Sequence, residues 1–313
     1  MRLARELYET TRQNISENGI RGLGTTGADI ADFARRSVNG RINQWRSTNI
    51  YEREWDLLVL LDCATVQMMQ EVADGYDFVG EVGEHFSPGT TSAEWMRNTF
   101  TDRYREEMSR TVHVTGNTAS EEFLESDQFR HLEEVWLDGW DDELGTIPAR
   151  AITDRAIYYD RKLSPDRLIV HYMQPHPPFV PRQDVEASEV RRYGISGDGM
   201  DVADLYFEAG YDRETLWDAH VENLEYVLDD VSLLLSNVSA DRAVLSADHG
   251  QAFGEGGAWG HGPGERVDVL RKVPWCVTSA SDTGEYEPEY EEGERDVEPD
   301  LSTEEKLKSL GYL

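Results

Sequence analysis

Short continuous apolar runs alternate along this chain with longer stretches in which apolar residues recur every three to four positions. Residues 56–62 form the strongest run, and its lack of alternation predicts a strand buried on both faces of a largely parallel sheet. Residues 242–247 form a second such run. The clearest helical stripe lies in residues 215–236, with acidic residues on the opposite face. Strands alternating with helices predict an α/β fold, a three-layer α/β/α domain with a mostly parallel central sheet.

The weaker patterns divide the chain into three parts. We predict further strands at residues 77–82, 111–115, 168–173 and 273–278, and further helices at residues 65–72, 93–100, 119–125 and 149–162. We expect residues 1–50 to form a helical extension and residues 51–280 the main domain. Residues 281–313 should form an acidic connection that ends in a helix, with a capping box that starts at Ser302. Residues 186–211, rich in glycine and aspartate, resemble an insertion.

The charge of the chain is strongly negative, with 62 acidic residues against 30 lysines and arginines and a formal net charge of −32. Such a surface repels nucleic acids and anionic membranes, so we expect no nucleic-acid partner. Because 39% of the residues are hydrophobic, the chain is too apolar to be disordered. Concentrated salt screens dense like charge over a few ångströms, and the composition therefore favours a halophilic source.

Cysteine content and terminal sequence indicate the compartment. Cys63 and Cys276 are the only cysteines and do not make a disulfide framework. We expect Cys63 to be a small packed residue rather than a nucleophile. The N-terminus lacks the apolar segment of a signal peptide, and no later run is long enough to span a bilayer. The sequence therefore predicts a cytoplasmic protein without a transmembrane segment.

The residues best suited to metal binding or catalysis lie where the second strong apolar run ends. Asp248 and His249 follow that run, glycines follow them, and His261 lies between two glycines further on. A carboxylate and two imidazoles at the carboxyl edge of a sheet suit a divalent cation such as Zn²⁺ or Mn²⁺. The alternative is structural, with Asp248 capping the next turn and His249 solvated.

Three other segments hold candidate residues, each with a structural alternative. Asp62, at the end of the first strand, is a metal ligand or the cap of the next helix. In the turn before residues 93–100, Ser92 is the better helix cap, which leaves Thr90 or Thr91 free as a nucleophile. His176 lies in a proline-rich segment after a strand, where it can bind a metal or an anionic oxygen, or pack against a neighbouring ring.

The order of these segments carries a resemblance. An Asp ends the first strand, a hydroxyl-bearing turn precedes a helix, and His-Tyr-x-x-Pro-His-x-Pro-Phe follows at residues 171–179. Ser-x-Asp-His-Gly-x-x-Phe-Gly-Glu then occupies residues 246–255, with Gly-His downstream. In this order the motifs resemble those of sulfatase-like members of the alkaline phosphatase superfamily. The final residues, 306–313, resemble the tails of haloarchaeal members, which favours an archaeal source.

The resemblance implies an alkaline phosphatase-like fold and a set of metal ligands. Asp62, Asp248 and His249 would bind the metal, with Zn²⁺, Mn²⁺, Mg²⁺ or Ca²⁺ as candidates. The hydroxyl of Thr91, or as second choice Thr90, would ligate the metal and attack phosphorus or sulfur.

The resemblance also assigns the two remaining histidines. It implies that His176 and His261 bind the transferred group, or that they hold a second metal. His261 is accordingly a candidate both as a catalytic residue and as a metal ligand.

One departure from the family decides which ester is expected. Sulfatases carry a Cys-x-Pro-x-Arg type motif whose Cys or Ser becomes formylglycine, whereas residues 91–95 here read Thr-Ser-Ala-Glu-Trp. We therefore expect a metal-dependent hydrolase or transferase that acts on phosphate esters through a threonine. Its substrate would be a small molecule, a glycan or a lipid headgroup. A sulfatase, or a catalytically inactive binding protein of the same fold, is the alternative.

Overall fold

A computed structural model describes residues 47–186 and 201–293 of the protein. A seven-stranded sheet has the order β2-β9-β6-β1-β5-β3-β4. Neighbouring strands from β6 to β4 run parallel, and only β9 is antiparallel to its two neighbours. The predicted α/β fold with a mostly parallel sheet is confirmed.

The elements follow one another in chain order. The strands are β1 Leu57–Asp62, β2 Gly83–Phe86, β3 Thr111–Thr115, β4 His131–Glu134, β5 Arg167–Pro175, β6 Ala240–Ser246, β7 Ala252–Phe253, β8 Trp259–Gly260 and β9 Lys272–Ala280. The α-helices are α1 Val66–Val72, α2 Ser92–Thr99, α3 Arg105–Met108, α4 Ser120–Phe123, α5 Ala149–Leu163, α6 Gln183–Glu186, α7 Val202–Phe207 and α8 Arg213–Leu235. Strands β7 and β8 form a separate hairpin close to the end of β6.

Strand β1 is buried along its whole length, as its continuous apolar run predicts. Leu57, Val59 and Leu61 belong to the core cluster that contains α1, α5 and α8. Leu58 and Leu60 belong to a second cluster, which includes α2 on the opposite face of the sheet. Because side chains alternate across a strand, one short segment joins the two helical layers.

Two of the predicted elements differ from the structure, and some elements of the sheet were not predicted. The strand expected at residues 77–82 is wrong, because the Val79 amide donates to the Tyr76 carbonyl at 2.9 Å and Gly80 has a φ of 58°, so the chain turns there. The apolar residues of that segment pack into the core as a loop. Strands β2 and β4 were not predicted, and the helix expected at residues 119–125 is limited to Ser120–Phe123.

Parts of the remaining predictions fall outside the described residues. Most of the helical extension at residues 1–50 and the helix starting near Ser302 lie there, as do residues 187–200 of the presumed insertion. The described part of the acidic connection packs on α5, where Arg161 forms an ion pair with Asp282 at 2.8 Å. Among the described helices, none is both long and apolar enough to cross a bilayer.

The packing of α8 against the sheet can be tested at Leu224, which is fully buried in the first core cluster. Replacing Leu224 with Ala should lower the free energy of unfolding by about 2–5 kcal/mol, because the removed methyl groups leave a cavity. Glu225, the next residue, is exposed, and Glu225→Ala should change stability by less than about 0.5 kcal/mol. Denaturant unfolding in molar KCl measures both, and equal effects would contradict this packing of α8.

Candidate metal centre

Two strand ends bring three predicted ligands together. Asp62 is the last residue of β1, and Asp248 and His249 follow the adjacent parallel strand β6. The His249 Nε2 atom lies 3.3 Å from Asp62 Oδ1 and 3.5 Å from Asp248 Oδ2. All three side chains are fully buried. Asp62 does not cap the next helix, because Thr65 does so by accepting a hydrogen bond from the Met68 amide.

The imidazole of His249 presents a lone pair to the two carboxylates. Its Nδ1 atom lies 3.0 Å from the Gly250 carbonyl oxygen, which can only accept a hydrogen bond. Nδ1 therefore carries the hydrogen in the neutral ring, and Nε2 faces Asp62 and Asp248 as a ligand would. Burial acts to lower the pKa of His249, but the Asp248 and Asp62 carboxylates outweigh it and raise that pKa. The cluster favours positive charge at this point.

Asp248 provides a direct test of whether the site fits a cation. Its Oδ2 atom is buried and has no hydrogen-bond partner among the described residues. The nearest imidazole nitrogens, of His249 and His171, lie 3.5 and 3.6 Å away, beyond ordinary hydrogen-bond length. Although burial opposes ionisation, these imidazoles hold the pKa of Asp248 well below its usual range. An ionised, buried and unpartnered oxygen fits a metal ligand, because a buried charge is otherwise costly.

The turn before α2 places its hydroxyls differently from the expectation. The prediction that Ser92 caps the helix is wrong: Thr91 is the N-cap, and its Oγ1 accepts a hydrogen bond from the Glu94 amide at 3.2 Å. Ser92 is fully buried, with Oγ 3.3 Å from Asp62 Oδ2 and 3.3 Å from His249 Nε2. Ser92 therefore supplies the hydroxyl of the cluster, while the Thr91 hydroxyl is engaged in the cap.

Thr90 links the turn to the loop that carries His261. Its Oγ1 lies 2.7 Å from the Gly262 carbonyl oxygen and accepts a hydrogen bond from the Gly264 amide at 3.1 Å. The same oxygen lies 2.9 Å from Glu94 Oε2. Thr90 thus holds two segments of the site together, and its hydroxyl is surrounded by structural partners.

His176 and His261 form a pair beside the cluster. Their Nε2 atoms are 3.2 Å apart, and the His261 ring centroid lies 4.5 Å from that of His249. The Nδ1 atom of His176 faces the Pro177 carbonyl oxygen, so this nitrogen carries the hydrogen and Nε2 faces His261. Burial lowers the pKa of His261 to about 4. The structure brings both predicted imidazoles next to the three carboxylate and imidazole ligands.

Asn117 belongs to the site although no motif of the sequence indicated it. It follows β3, and its Nδ2 donates to Asp62 Oδ2 at 2.8 Å. Its own Oδ1 accepts from the Ala119 amide at 3.0 Å, which fixes the amide group. A hydrogen bond of this kind orients a ligating carboxylate. A polar residue after a predicted parallel strand was the available signal, because such strands end at the same edge of the sheet.

Asp201 was also missed, and it positions the loop of His261. Its Oδ2 accepts from the His261 amide at 3.1 Å, and its Oδ1 accepts from Gln251 Nε2 at 2.6 Å. Helix α7, which Asp201 caps, stacks Tyr206 on Trp259 with ring centroids 3.6 Å apart. Burial opposes the ionisation of Asp201, but the imidazoles of His261 and His176 lower its pKa. No periodic pattern in the surrounding segment could have indicated this role.

Comparisons with solved structures support the fold. The integral membrane protein lipooligosaccharide phosphoethanolamine transferase A from Neisseria meningitidis has a TM-score of 0.51 and 13% identity over 89% of this chain. The chain spans 60% of the length of that transferase. At this identity the likeness shows a shared fold and nothing more specific.

Two further structures are less similar. The C-terminal periplasmic domain of EptC from Escherichia coli, a complex with Zn, has a TM-score of 0.45, with 10% identity over 82% of this chain and 81% of its own. A 2-O GAG sulfatase has a TM-score of 0.47, with 15% identity over 71% of this chain and 63% of its own. The sequence matches no protein-family model and no curated protein.

The close contact between Gly260 and Asp201 allows the geometry of the loop that carries His261 to be tested. A Cβ atom at Gly260 would lie 1.9 Å from Asp201 Oδ2, and the φ of Gly260 is 74°. Gly257 has a φ of 85° but open space around it, so Gly257→Ala should cost only the roughly 1–2 kcal/mol of a left-handed backbone. Gly260→Ala should cost at least about 1 kcal/mol more, because the Asp201 carboxylate must also move. Thermal unfolding of the two variants measures the difference, and equal losses would contradict the contact.

Proposed function

We propose that this chain is a metal-dependent enzyme that transfers the phosphoryl group of a phosphate ester through Ser92. The observation that carries the proposal is the position of the Ser92 hydroxyl, 3.3 Å from both Asp62 Oδ2 and His249 Nε2 at the first residue of α2. A hydroxyl at a helix N-terminus lies beside free backbone amides that attract an anion. Asp62, Asp248, His249 and Ser92 are the residues that would hold the metal.

The residues of the site would have different roles in a displacement at phosphorus. A bound divalent cation would lower the pKa of a coordinated hydroxyl and neutralise charge on the phosphoryl oxygens. Ser92 Oγ forms a bond to phosphorus as the bond to the alcohol breaks, and the alcohol leaves with a proton. The phosphoseryl ester then passes its phosphoryl group to water or to an acceptor alcohol, which restores the hydroxyl.

His176 and His261 would bind the phosphoryl group during this displacement. His261, whose ring lies next to that of His249, can donate a hydrogen bond from Nε2 to a phosphoryl oxygen, and His176 can do so from Nε2 as an imidazolium. Asp201 keeps His261 in place through the backbone amide of that residue. Binding the anion between two imidazoles and the helix N-terminus would align it with Ser92 for attack.

The identity of the ester is inferred from chemistry and from the fold relatives. A serine that becomes formylglycine in a Cys-x-Pro-x-Arg type motif has Pro and Arg two and four positions later, whereas Ser92 is followed by Glu94 and Met96 at those positions. Phosphate esters are therefore the preferred class. The transferase that shares the fold is named for phosphoethanolamine and lipooligosaccharide, which supports a glycan or lipid-headgroup ester as the substrate type.

The nucleophile is tested with three single variants. We expect Ser92→Ala to lower the turnover of p-nitrophenyl phosphate or bis-p-nitrophenyl phosphate by at least about 1,000-fold, because the attacking oxygen is removed. Thr91→Ala should keep turnover and lose about 1 kcal/mol of stability with its helix cap. Thr90→Ala serves as the second control, and all assays are run in molar KCl with Zn²⁺, Mn²⁺, Mg²⁺ or Ca²⁺.

Any result that differs from these expectations would support another nucleophile or another function. Loss of turnover in Thr91→Ala, with activity kept in Ser92→Ala, would return the nucleophile to the threonine. Preference for p-nitrophenyl sulfate would establish a sulfatase. No turnover of any ester by folded, metal-loaded protein would favour a binding protein on the same fold.

Removing the metal should destabilise the protein. A cation that binds only the folded state adds about 2.7 kcal/mol at one hundred times its dissociation constant, so EDTA should lower the midpoint of thermal unfolding. The matched control is Asp248→Asn, which removes one carboxylate charge from the cluster and should respond little to EDTA. An unchanged wild-type midpoint after EDTA treatment would contradict a metal centre.

A further inference from the structure

The segment that carries His176 is poor in backbone hydrogen-bond donors. Residues 175–180 read Pro-His-Pro-Pro-Phe-Val, and the nitrogen of a proline in a chain carries no hydrogen. Three of these six residues therefore offer a carbonyl oxygen without an amide donor. Such a segment cannot pair its own backbone groups in a regular ladder, so its path after β5 depends on donors from neighbouring elements.

Asn223 of α8 supplies donors to this segment. Its Nδ2 atom lies 3.1 Å from the carbonyl oxygen of Pro175, 3.2 Å from that of His176 and 3.3 Å from that of Pro178. The three oxygens share the two hydrogens of the amide nitrogen. The Oδ1 atom accepts a hydrogen bond from the Val180 amide at 3.1 Å. One side chain thus holds four backbone groups of the segment.

The position of Asn223 in α8 is one where packing alone favours an apolar residue. Asn223 is fully buried, and Leu224 and Val227 beside it on the helix belong to the first core cluster. Asparagine is a weak helix former, and a buried amide costs stability unless its hydrogen bonds are made. The bonds to residues 175–180 therefore account for the amide at this position.

The ring of His176 takes its orientation from the same segment. Its Nδ1 atom lies 2.5 Å from the Pro177 carbonyl oxygen, and its backbone amide donates to the Asp62 carbonyl oxygen at 3.2 Å. Asn223 holds the carbonyl groups on either side of Pro177, those of His176 and Pro178. A shift of this segment would therefore turn the imidazole and move its Nε2 atom relative to the metal cluster.

We infer that Asn223 is a positioning residue of the reaction, which holds His176 where its Nε2 atom meets the transferred phosphoryl group. The inference rests on the proposed function, which gives His176 that role, and adds a residue that acts through His176 rather than on the ester. Misplacing a group that contacts the reacting atoms by about 1 Å can cost about 100-fold in rate, so the clamp would matter for turnover.

Two neighbouring variants of α8 test whether the hydrogen bonds matter more than the packing. Asn223→Leu keeps a side chain of similar size and removes the four bonds, and we expect it to lower kcat/KM for p-nitrophenyl phosphate by about 10–100-fold. Leu224→Ala is the matched control, because it destabilises the same helix and leaves the amide of Asn223 in place. It should keep a kcat/KM close to that of wild type.

A double variant separates positioning from a general structural effect. If Asn223 acts through His176, adding Asn223→Leu to His176→Ala should lower kcat/KM by less than about threefold, because the group that was positioned is already absent. Equal fold-losses in the wild-type and His176→Ala backgrounds would overturn the inference. Should Asn223→Leu not fold, the smaller Asn223→Ser, which keeps one donor, replaces it in the same comparison.

A measurement on the histidine rings distinguishes failure of this inference from failure of the proposed function. Two-dimensional ¹H–¹⁵N spectra of the full chain with Zn²⁺ in molar KCl report the ring nitrogens, and the signals of His176 are those missing from His176→Ala. They should shift in Asn223→Leu and remain in place in Leu224→Ala. Unchanged signals in Asn223→Leu would overturn the inference alone. Absence of ester turnover in wild type would contradict the proposed function, and the ring signals would still show whether Asn223 orients His176.

Discussion

Two buried carboxylates around one imidazole set the main constraint on this protein. A carboxylate oxygen of Asp62 and one of Asp248 each lie within 3.5 Å of His249 Nε2, and both side chains are fully buried. Two such charges are costly in a protein interior unless a cation or several hydrogen bonds compensate them. Asn117 supplies one hydrogen bond to Asp62, whereas Asp248 Oδ2 has no such partner in the described residues. The fold around the cluster is therefore organised to hold positive charge.

The parallel sheet explains how distant segments reach this cluster. Strands β3, β5, β1 and β6 are neighbours and run in one direction, so the residues that follow each of them meet at one edge. Asn117, His176 and Asp248 are all residues of this kind. Helix α2 enters from the second core layer and adds Ser92, because the helix packs on the same sheet through Trp95 and Met96. Because β1 is buried on both faces, it packs against both helical layers and fixes their positions relative to the sheet.

The sequence allowed the sheet edge to be predicted but not the register of the helix that meets it. The carboxyl ends of the two strong strands could be located because continuous apolar runs are long and unambiguous. The choice among Thr90, Thr91 and Ser92 depends on where α2 begins, and one residue rotates a side chain by about 100° around the axis. The helical spacing of Ser92, Trp95, Met96 and Thr99 is the signal that would have placed Ser92 on the buried face of α2. Asp201 could not be found, because the segment around it has no periodic pattern and carries no recognisable motif.

The acidic surface and a cation bound at the proposed centre would act on an anionic ester over different distances. A net charge of −32 repels an anionic ester, and at low salt this repulsion extends over tens of ångströms. In molar salt the screening length falls to about 3 Å, which removes the long-range repulsion but leaves buried interactions almost unscreened. An ester that reaches the cluster would then meet two imidazoles, the amides of α2 and any cation bound there. A buried position of the proposed centre would consequently allow a strongly acidic chain to bind an anionic group.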